Sequence, residues 1–448
     1  MEVCLNQRIA SNKVFAGLEM YINQVYLGAI CHGASFSWRW DGLNRRNLAI
    51  LGFGTMLSIS ATSIMVLVGG IVGAELAPDP IWSTLPISLL TVGLALTTIP
   101  SAMTMKRLGR RLGFSISAVV AISGALLAAY AVMQQSFTLF CLGALLVGTN
   151  SAYVQQYRFA AVESVEPRLA GRAVSLTLLG GVLAGILGPE IARRTQGMFP
   201  STLYAGSFVS MAMLFVLVLL LMLFFKDVVK TSAEQVRDSG RQRPLLKIVM
   251  QPIYITALLS GMAAYGVMSF IMTATPVHMH RLAGFSLGNT SLVIQSHIIA
   301  MFLPSLFSGY LLDRLGPIRV MLAGLAAITA CVLLGAVSVV LVQYWGALVL
   351  LGVGWNFLFV GATVLLTKTY LPPERYKAQA FNEFTIFSVQ AMLSLSAGVM
   401  LYRSNWETLN LVNLPLLLLV LVAILWVRKR VDQPTPVVAA EPAEATSS

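Results

Sequence analysis

The chain has 448 residues, of which 57% are apolar and only 11% are charged, and its mean hydropathy is +0.79. Soluble domains carry near 25% charged residues, so this composition excludes a soluble globular protein and indicates a polytopic membrane protein. The formal net charge of +12 is not evidence for nucleic-acid binding, because the basic residues are distributed along the chain as in a membrane protein, as described below.

The first 44 residues are too polar for a membrane span and lack the order of regions of a secretory signal. We expect an N-terminal cytoplasmic extension, 1–46, that is interfacial or disordered. Twelve windows of about 20 apolar residues follow, each long enough to cross a bilayer. The predicted spans are 48–74, 81–104, 112–133, 137–160, 170–192, 202–225, 251–275, 287–312, 317–341, 343–368, 376–402 and 408–428.

The spans form two groups of six. The sequence predicts an all-α membrane protein with an N-terminal bundle, 47–226, a cytoplasmic linker, 227–250, and a C-terminal bundle, 251–428. The remaining residues, 429–448, have the composition of a disordered cytoplasmic tail.

Lysine and arginine are concentrated in every second loop. The alternate loops hold only Arg193, Arg194, Arg281 and Arg403. This asymmetry predicts that the basic loops and both termini are cytoplasmic.

Near the end of the fifth span, the simplest role for Glu190 is an ion pair with Arg193 and Arg194, which follow at i+3 and i+4.

The first span is rich in Gly, Ser and Thr, which we interpret as a helix-packing face.

The sequences of the two halves repeat each other. Arg107-Leu108-Gly109 matches Arg314-Leu315-Gly316 at an offset of 207, and Gly148-Thr149-Asn150 matches Gly354-Trp355-Asn356 at an offset of 206.

With these features the sequence resembles the major facilitator superfamily over about residues 47–430. The resemblance includes the family's loop signature, Gly-x-x-x-Asp-Arg-x-Gly-Arg-Arg. The second copy matches it at Gly309, Asp313, Arg314 and Gly316. The first copy matches at Arg107, Gly109, Arg110 and Arg111, with Ala102 in place of the glycine and Lys106 in place of the acid.

The resemblance implies two pseudo-symmetric six-helix bundles that alternate the exposure of a central site. It also implies that the loop acid lies at a helix N-terminus of the opposite bundle, where negative charge is favoured. Lys106 cannot take that role, so we expect the gating contact on that side either to be weakened or to be replaced, with Asp313 carrying the pseudo-symmetric role alone.

Ionisable groups near the bilayer midplane are functional candidates by default. His297 lies about 15 Å into the eighth span, where it either couples protons or contacts solute, or is a neutral histidine bonded to a neighbouring helix. Glu383 in the eleventh span is either a proton carrier or the partner of a base such as Arg158 or Lys368. We assign proton coupling or substrate contact to His297, Glu383 and Arg158.

By resemblance, the first, fourth, seventh and tenth spans line the cavity. The predicted solute contacts there are Asn150, Tyr153, Tyr157, Tyr265, Trp355 and Asn356. Aromatic and amide groups together favour a neutral or weakly charged organic molecule.

These features predict a secondary transporter of a small organic solute, coupled to protons, in a bacterial inner membrane. We expect a functional monomer whose partners are the solute, protons and the lipid bilayer. The exporter signature of the family's fifth helix is reduced here to Ala184-x-x-x-Gly188-Pro189, so uptake is slightly favoured over drug export, and both remain open.

Other classes fit less well. A membrane-embedded lipid enzyme would need a His-Glu-x-x-His motif or a similar cluster, and a non-transporting sensor has only Lys106 in its favour. No phosphate loop for ATP is present. Cys4, Cys31, Cys141 and Cys331 show no paired spacing, so no metal or cofactor is predicted.

Overall fold

The computed structural model describes residues 45–165, 170–200, 202–227, 242–337 and 340–431, all within one compact unit, Asn44–Ser448. The predicted N-terminal extension up to residue 44, most of the linker and the tail from residue 432 lie outside the described residues. The described chain is built almost entirely of helices.

The described residues of the first half form seven helices. They are α1 (Arg45–Leu76), α2 (Leu85–Leu108), α3 (Arg110–Met133), α4 (Phe137–Val154), α5 (Tyr157–Glu163), α6 (Ala170–Thr195) and α7 (Ala205–Leu223). A 3-10 turn, Pro80–Trp82, precedes α2.

The second half begins with the short helix α8 (Leu245–Val249). It continues with α9 (Pro252–Val277), α10 (Leu287–Phe302), α11 (Ser305–Leu315), α12 (Pro317–Ala336), α13 (Leu341–Thr367), α14 (Arg375–Arg403), α15 (Trp406–Leu411) and α16 (Leu414–Val431). A π-helical turn, His278–Leu282, extends α9, and a 3-10 turn, Pro372–Glu374, precedes α14.

Among the described residues, eleven helical segments are long and apolar enough to cross a membrane. The pair α10 and α11, bent by 43°, makes a twelfth if it is one span. The predicted twelve-span membrane fold is confirmed, and the main difference is that the eighth span is broken.

The break combines a proline with a contact from another helix. Pro304 has no N–H to donate, so the helical ladder is interrupted there. The side chain of Asn356 on α13 donates to Met301 O and to Ser305 Oγ, both at 2.7 Å. Asn356 therefore satisfies a carbonyl at the end of α10, and it holds the bend against a neighbouring helix.

Helix packing repeats between the halves. In the first half α1 packs on α6, α3 on α4, and α2 on α4; in the second α9 packs on α14, α12 on α13, and α10 on α13. A Cβ atom added at Gly124 of α3 would lie 2.8 Å from Gly143 O of α4, and one at Gly324 of α12 would lie 2.9 Å from Gly354 O of α13. Small residues therefore permit the same close helix approach in both halves.

The repeat extends to the loops. Gly109 and Gly316 have φ angles of +84° and +77°, a backbone region that favours glycine. Each glycine connects the end of one helix to the start of the next, so the duplicated Arg-Leu-Gly sequence makes the same turn twice.

Contacts between the halves run mainly through α2 with α14, α6 with α10, and α1 with α9. We call the end of the bundles that carries Gly109, Gly316 and α8 the linker face, and the end that carries Pro80–Trp82 and His278–Leu282 the distal face. The predicted bundle limits at residues 46, 226, 250 and 428 stay predictions.

Candidate functional site

A cavity of about 270 Å³ lies between the two six-helix bundles. Residues of α1, α2, α4, α5 and α6 form its wall on the side of the first half. Residues of α9, α10, α13 and α14 form the opposite wall. The two walls differ in chemistry.

Hydroxyl groups characterise the wall of the first half. They belong to Thr55, Ser58, Thr62, Ser63, Thr91, Ser151 and Thr177. Several already donate their hydrogen to a backbone carbonyl in their own helix: Thr55 to Leu51 O at 2.8 Å and Ser63 to Ile59 O at 2.7 Å, for example. A hydroxyl that has donated keeps its oxygen lone pairs, so this wall can accept hydrogen bonds from a solute.

Aromatic rings are concentrated in the opposite wall, which also contains the hydroxyls of Ser269 and Thr273. Tyr265 meets Trp355 and Phe359 edge to face, with ring centroids 5.2 and 5.1 Å away. Trp355 and Phe359 are stacked at 5.3 Å. With Phe302 and three methionines, Met268, Met272 and Met301, these side chains form a broad, polarizable surface.

His297 lies in this wall and is 1% exposed. Its Nδ1 is 2.8 Å from Leu348 O on α13. It is therefore both bonded to a neighbouring helix, as one interpretation of the sequence proposed, and part of the cavity, as the other requires.

Four other side chains of the cavity lining have a buried polar atom without a hydrogen-bond partner among the described residues, and two of them are Ser58, at Oγ, and Arg158, at Nε. Among the described residues no hydrogen-bond partner reaches Trp355 Nε1 or Gln390 Oε1. Both side chains belong to residues that are 6% exposed. Polar atoms buried without a partner are costly, so these atoms mark places where a bound solute would supply the missing hydrogen bond.

An ion pair joins the two halves between the cavity and the linker face. Arg158 of α5 donates to Glu383 of α14 at 2.5 Å, and their side chains are 20% and 12% exposed. Arg158 also lines the cavity and lies over the ring of Phe359, 5.6 Å from its centroid. Of the two bases considered for Glu383 from the sequence, Arg158 is the one it meets, and Lys368 is exposed.

Contacts on the other side of the cavity also join the halves. Near the distal face Arg281, in the turn after α9, forms an ion pair with Glu75 of α1. Ser88 of α2 donates to Ser394 O of α14 at 2.7 Å. The cavity thus lies between inter-bundle contacts on both sides.

Four of the predicted solute contacts are placed away from the cavity wall. Asn150 donates to Ser117 Oγ on α3 at 3.0 Å, and Asn356 holds the break before α11. Tyr157 is fully buried edge to face with Phe114, and Tyr153 is buried near Gly113. Only Tyr265 and Trp355 of the predicted six line the cavity, because the helix faces were assigned without knowing how each span is rotated.

The loop signature also differs from expectation. Lys106, Arg107, Gly309, Asp313 and Arg314 are exposed at the linker face, and Arg314 donates to Tyr310 Oη at 3.1 Å. The acid found at a helix N-terminus there is Asp227, from the same half, which accepts from the N–H groups of Arg110 and Arg111 at 2.8 and 3.1 Å.

Arg110 extends this cluster. It forms a two-point ion pair with Glu163 at 2.7 and 2.9 Å, which ties α3 to the end of α5. Sequence reasoning missed Asp227 and Glu163. The only sequence signal was an acid that directly follows an apolar span on the basic side of the membrane.

The predicted pairing of Glu190 is confirmed. It accepts from Arg193 at 2.8 and 3.1 Å and from Arg194 at 2.5 Å.

The Ser and Thr residues of α1, interpreted from the sequence as a packing face, include hydroxyls of the cavity wall.

Comparison with known proteins agrees with this architecture. The profile of the Major Facilitator Superfamily matches residues 48–370 and 257–447. The chain is 40% identical over 386 residues to the riboflavin transporter RfnT of Brucella anthropi, a match that covers 85% of this chain and 95% of that protein. It is 27% identical to the uncharacterized MFS-type transporter YddS of Bacillus subtilis, over 87% of this chain and 93% of that protein.

Among solved structures, a bacterial homolog of the human lysosomal transporter Spinster, in an inward-facing and unoccupied conformation, has the same fold. The TM-score is 0.67 at 13% sequence identity, and the match covers 88% of this chain and all of that one.

Proposed function

Because this chain belongs to the major facilitator superfamily, and is a secondary transporter of a small organic solute and not an enzyme, we propose that its solute is riboflavin or a closely related flavin. The similarity to the Brucella anthropi riboflavin transporter, 40% over most of both chains, supports this assignment. The structural observation that carries it is the contrast between the two cavity walls.

Riboflavin has a matching division. Its isoalloxazine is a flat aromatic tricycle with two broad faces, and its ribityl chain is a polyol. The aromatic wall around Tyr265, Trp355 and Phe359 offers faces and edges on which a flat ring system can stack. The hydroxyl wall opposite offers acceptor lone pairs to the ribityl hydroxyls, because Thr55 and Ser63 have already donated their own hydrogens within α1.

The Arg158–Glu383 ion pair supports proton coupling. Its members belong to different halves, one of them lines the cavity, and both are largely shielded from water. A proton taken up by Glu383 would remove the charge that holds Arg158, and would free the two halves to move apart at the linker face. We assign Glu383 as the proton carrier and Arg158 as its switch partner.

The distribution of basic residues supports an orientation in which the linker face and both termini are cytoplasmic. In a bacterial inner membrane, protons that enter with the flavin would drive uptake. The incomplete exporter signature at Gly188 and Pro189 is consistent with that direction. We take the transporter to act as a monomer.

Growth of a riboflavin-auxotrophic bacterium without its own flavin uptake system tests the proposal. Expression of this chain should permit growth on low riboflavin. Trp355→Ala should reduce the rate of uptake by about tenfold or more, because it removes the largest aromatic face of the cavity. Trp345→Ala is the matched control, since Trp345 lies on the same helix but is 43% exposed and does not line the cavity.

Failure of the wild-type chain to support growth, despite its presence in the membrane at the level of a working flavin transporter, would refute flavin uptake. Raised resistance to drug-like compounds without growth rescue would favour the alternative of export.

A further inference from the structure

A hydrogen bond to Leu348 O fixes the tautomer of the neutral His297 ring. Its Nδ1 lies 2.8 Å from Leu348 O. A carbonyl oxygen can only accept a hydrogen bond, so Nδ1 must carry the hydrogen. In the neutral ring the other nitrogen, Nε2, then carries a lone pair and no hydrogen.

That lone pair has no partner among the described residues. His297 is 1% exposed and belongs to the cavity wall. The site therefore holds a fixed, desolvated acceptor, and the group that completes it must be a donor N–H or O–H.

A donor lines the same cavity as this acceptor. Helix α13 approaches α10 at the level of His297, because a Cβ atom added at Gly352 would lie 2.6 Å from His297 O. Trp355 follows Gly352 by three residues, which is about 4.5 Å along the helix axis. Its Nε1, a group that can only donate, also lacks a partner among the described residues.

Phe302, which follows His297 by five residues on α10, packs against Trp355. The ring of Phe302 lies 6.1 Å from that of Trp355 and also lines the cavity. The cavity wall of the second half thus contains an acceptor, His297 Nε2, and a donor, Trp355 Nε1, that have no partner among the described residues.

We propose that this pair recognises a cyclic imide, with His297 Nε2 accepting from the imide N–H and Trp355 Nε1 donating to the adjacent carbonyl. This inference rests on the proposed function and deepens it, because the isoalloxazine of riboflavin carries such an edge, N3–H between two carbonyls. The stacking faces then bind the rings, and His297 selects among flat heterocycles by the group at one position.

The selection follows from the cost of an unmade hydrogen bond. A ring without the N–H leaves the buried Nε2 unpaired, whereas a solute that supplies it satisfies both partners. His297 is accordingly a specificity-determining residue, which acts by direct contact with the solute.

A pair of ligands tests the proposal on the wild-type chain. Purified transporter in liposomes is given riboflavin or N3-methylriboflavin, in which a methyl group replaces the imide hydrogen, and the uptake of each is measured by fluorescence. We expect a preference for riboflavin of about tenfold or more. This comparison does not depend on a variant that folds.

A variant separates hydrogen bonding from size. His297→Ala removes the acceptor and gives room to the methyl group, so the preference should fall to within about twofold. His297→Gln should keep part of it, because its amide can donate toward Leu348 O and accept from the imide. His280→Ala is the matched control, since the Nδ1 of His280 also bonds a carbonyl, Phe285 O at 2.9 Å, but His280 does not line the cavity. It should leave the preference unchanged.

The outcomes are distinct. Equal uptake of both ligands by the wild-type chain would overturn the role of His297 while flavin transport stands. A preference that persists in His297→Ala would do the same. If neither ligand is transported, the proposed function fails, and this inference fails with it.

Discussion

The ion pair of Arg158 and Glu383 connects protonation of Glu383 to the separation of the two halves. Charged groups within a membrane protein are costly unless they are paired. Each neutralises the other across the boundary between the two halves, at 2.5 Å. The contact therefore exists only when the halves are close at this level and Glu383 is ionised.

This argument predicts the behaviour of Glu383→Gln, which mimics a permanently protonated carboxyl. Accumulation of riboflavin driven by a pH gradient should fall at least about tenfold, because no proton can be carried. Exchange of riboflavin across the same liposomes, without a gradient, should stay within about twofold of the wild-type rate. Radiolabelled flavin measures both processes.

Glu407→Gln provides the control for this prediction, because Glu407 is an exposed acid near the distal face. It should change neither process. Unimpaired accumulation by Glu383→Gln would show that the coupling proton is carried elsewhere.

At the scale of elements, Arg243, two residues before the short helix α8, bonds to the turn before α14. Glu374, whose side chain is 0% exposed, accepts from Arg243 Nε at 2.8 Å and from a terminal guanidinium nitrogen at 2.6 Å. It also accepts from the N–H groups of Arg243 and Leu371, at 2.7 and 3.0 Å. These bonds connect the end of the linker to the second half.

The contact has a consequence for stability. Hydrogen bonds from the Arg243 side chain, with smaller help from the two backbone N–H groups, lower the pKa of Glu374 from 4.5 to about 2. Because the folded pKa is below the ordinary one, the stabilisation is complete above about pH 4.5 and is lost as the pH falls toward about 2.

We therefore expect Glu374→Gln to lower Tm at pH 7 by about 2–4 °C, which corresponds to a loss of about 1 kcal/mol or slightly more. The difference in Tm between the variant and the wild type should shrink between about pH 4.5 and pH 3. In that range the stabilisation by ionised Glu374 in the wild type begins to be lost. Scanning fluorimetry in detergent measures both quantities.

Glu190→Gln, which disrupts a largely exposed pair, should change Tm by less than about 1 °C. Equal Tm values for Glu374→Gln and wild type at pH 7 would contradict the stabilising role of this contact.

The elements also show what a sequence can predict. Apolar length was sufficient for the twelve spans, since the bilayer sets that length, and the repeated Arg-Leu-Gly sequence located the two matching turns. The break at Pro304 was not predicted, because its stability depends on Asn356 from a helix about 50 residues away. A local pattern contains no such partner.

The site was predicted less completely for the same reason. Polarity within a span identified His297 and Glu383, because any ionisable group at that depth is unusual. It could not tell which face each helix turns inward, so Asn150 and Tyr157 were assigned to a cavity that they do not line. The hydroxyls of α1 were assigned to packing because their role in the cavity wall depends on the assembled bundle.

At the scale of the whole molecule, the cavity lies between two sets of contacts that join the halves. Arg158–Glu383 lies toward the linker face and Arg281–Glu75 toward the distal face. Transport by alternating access requires that one set opens while the other holds. A solute that spans both walls of the cavity couples the halves directly, since each wall belongs to a different half.

The central claim is that this cavity carries a flavin, and counterflow in liposomes tests it most directly. Liposomes that contain purified transporter and excess unlabelled riboflavin are diluted into labelled riboflavin, and trapped label is followed with time. We predict a transient accumulation of label that is absent from protein-free liposomes and is suppressed by Trp355→Ala but not by Trp345→Ala. No accumulation above protein-free liposomes, from a preparation that is monodisperse and folded, would contradict the account.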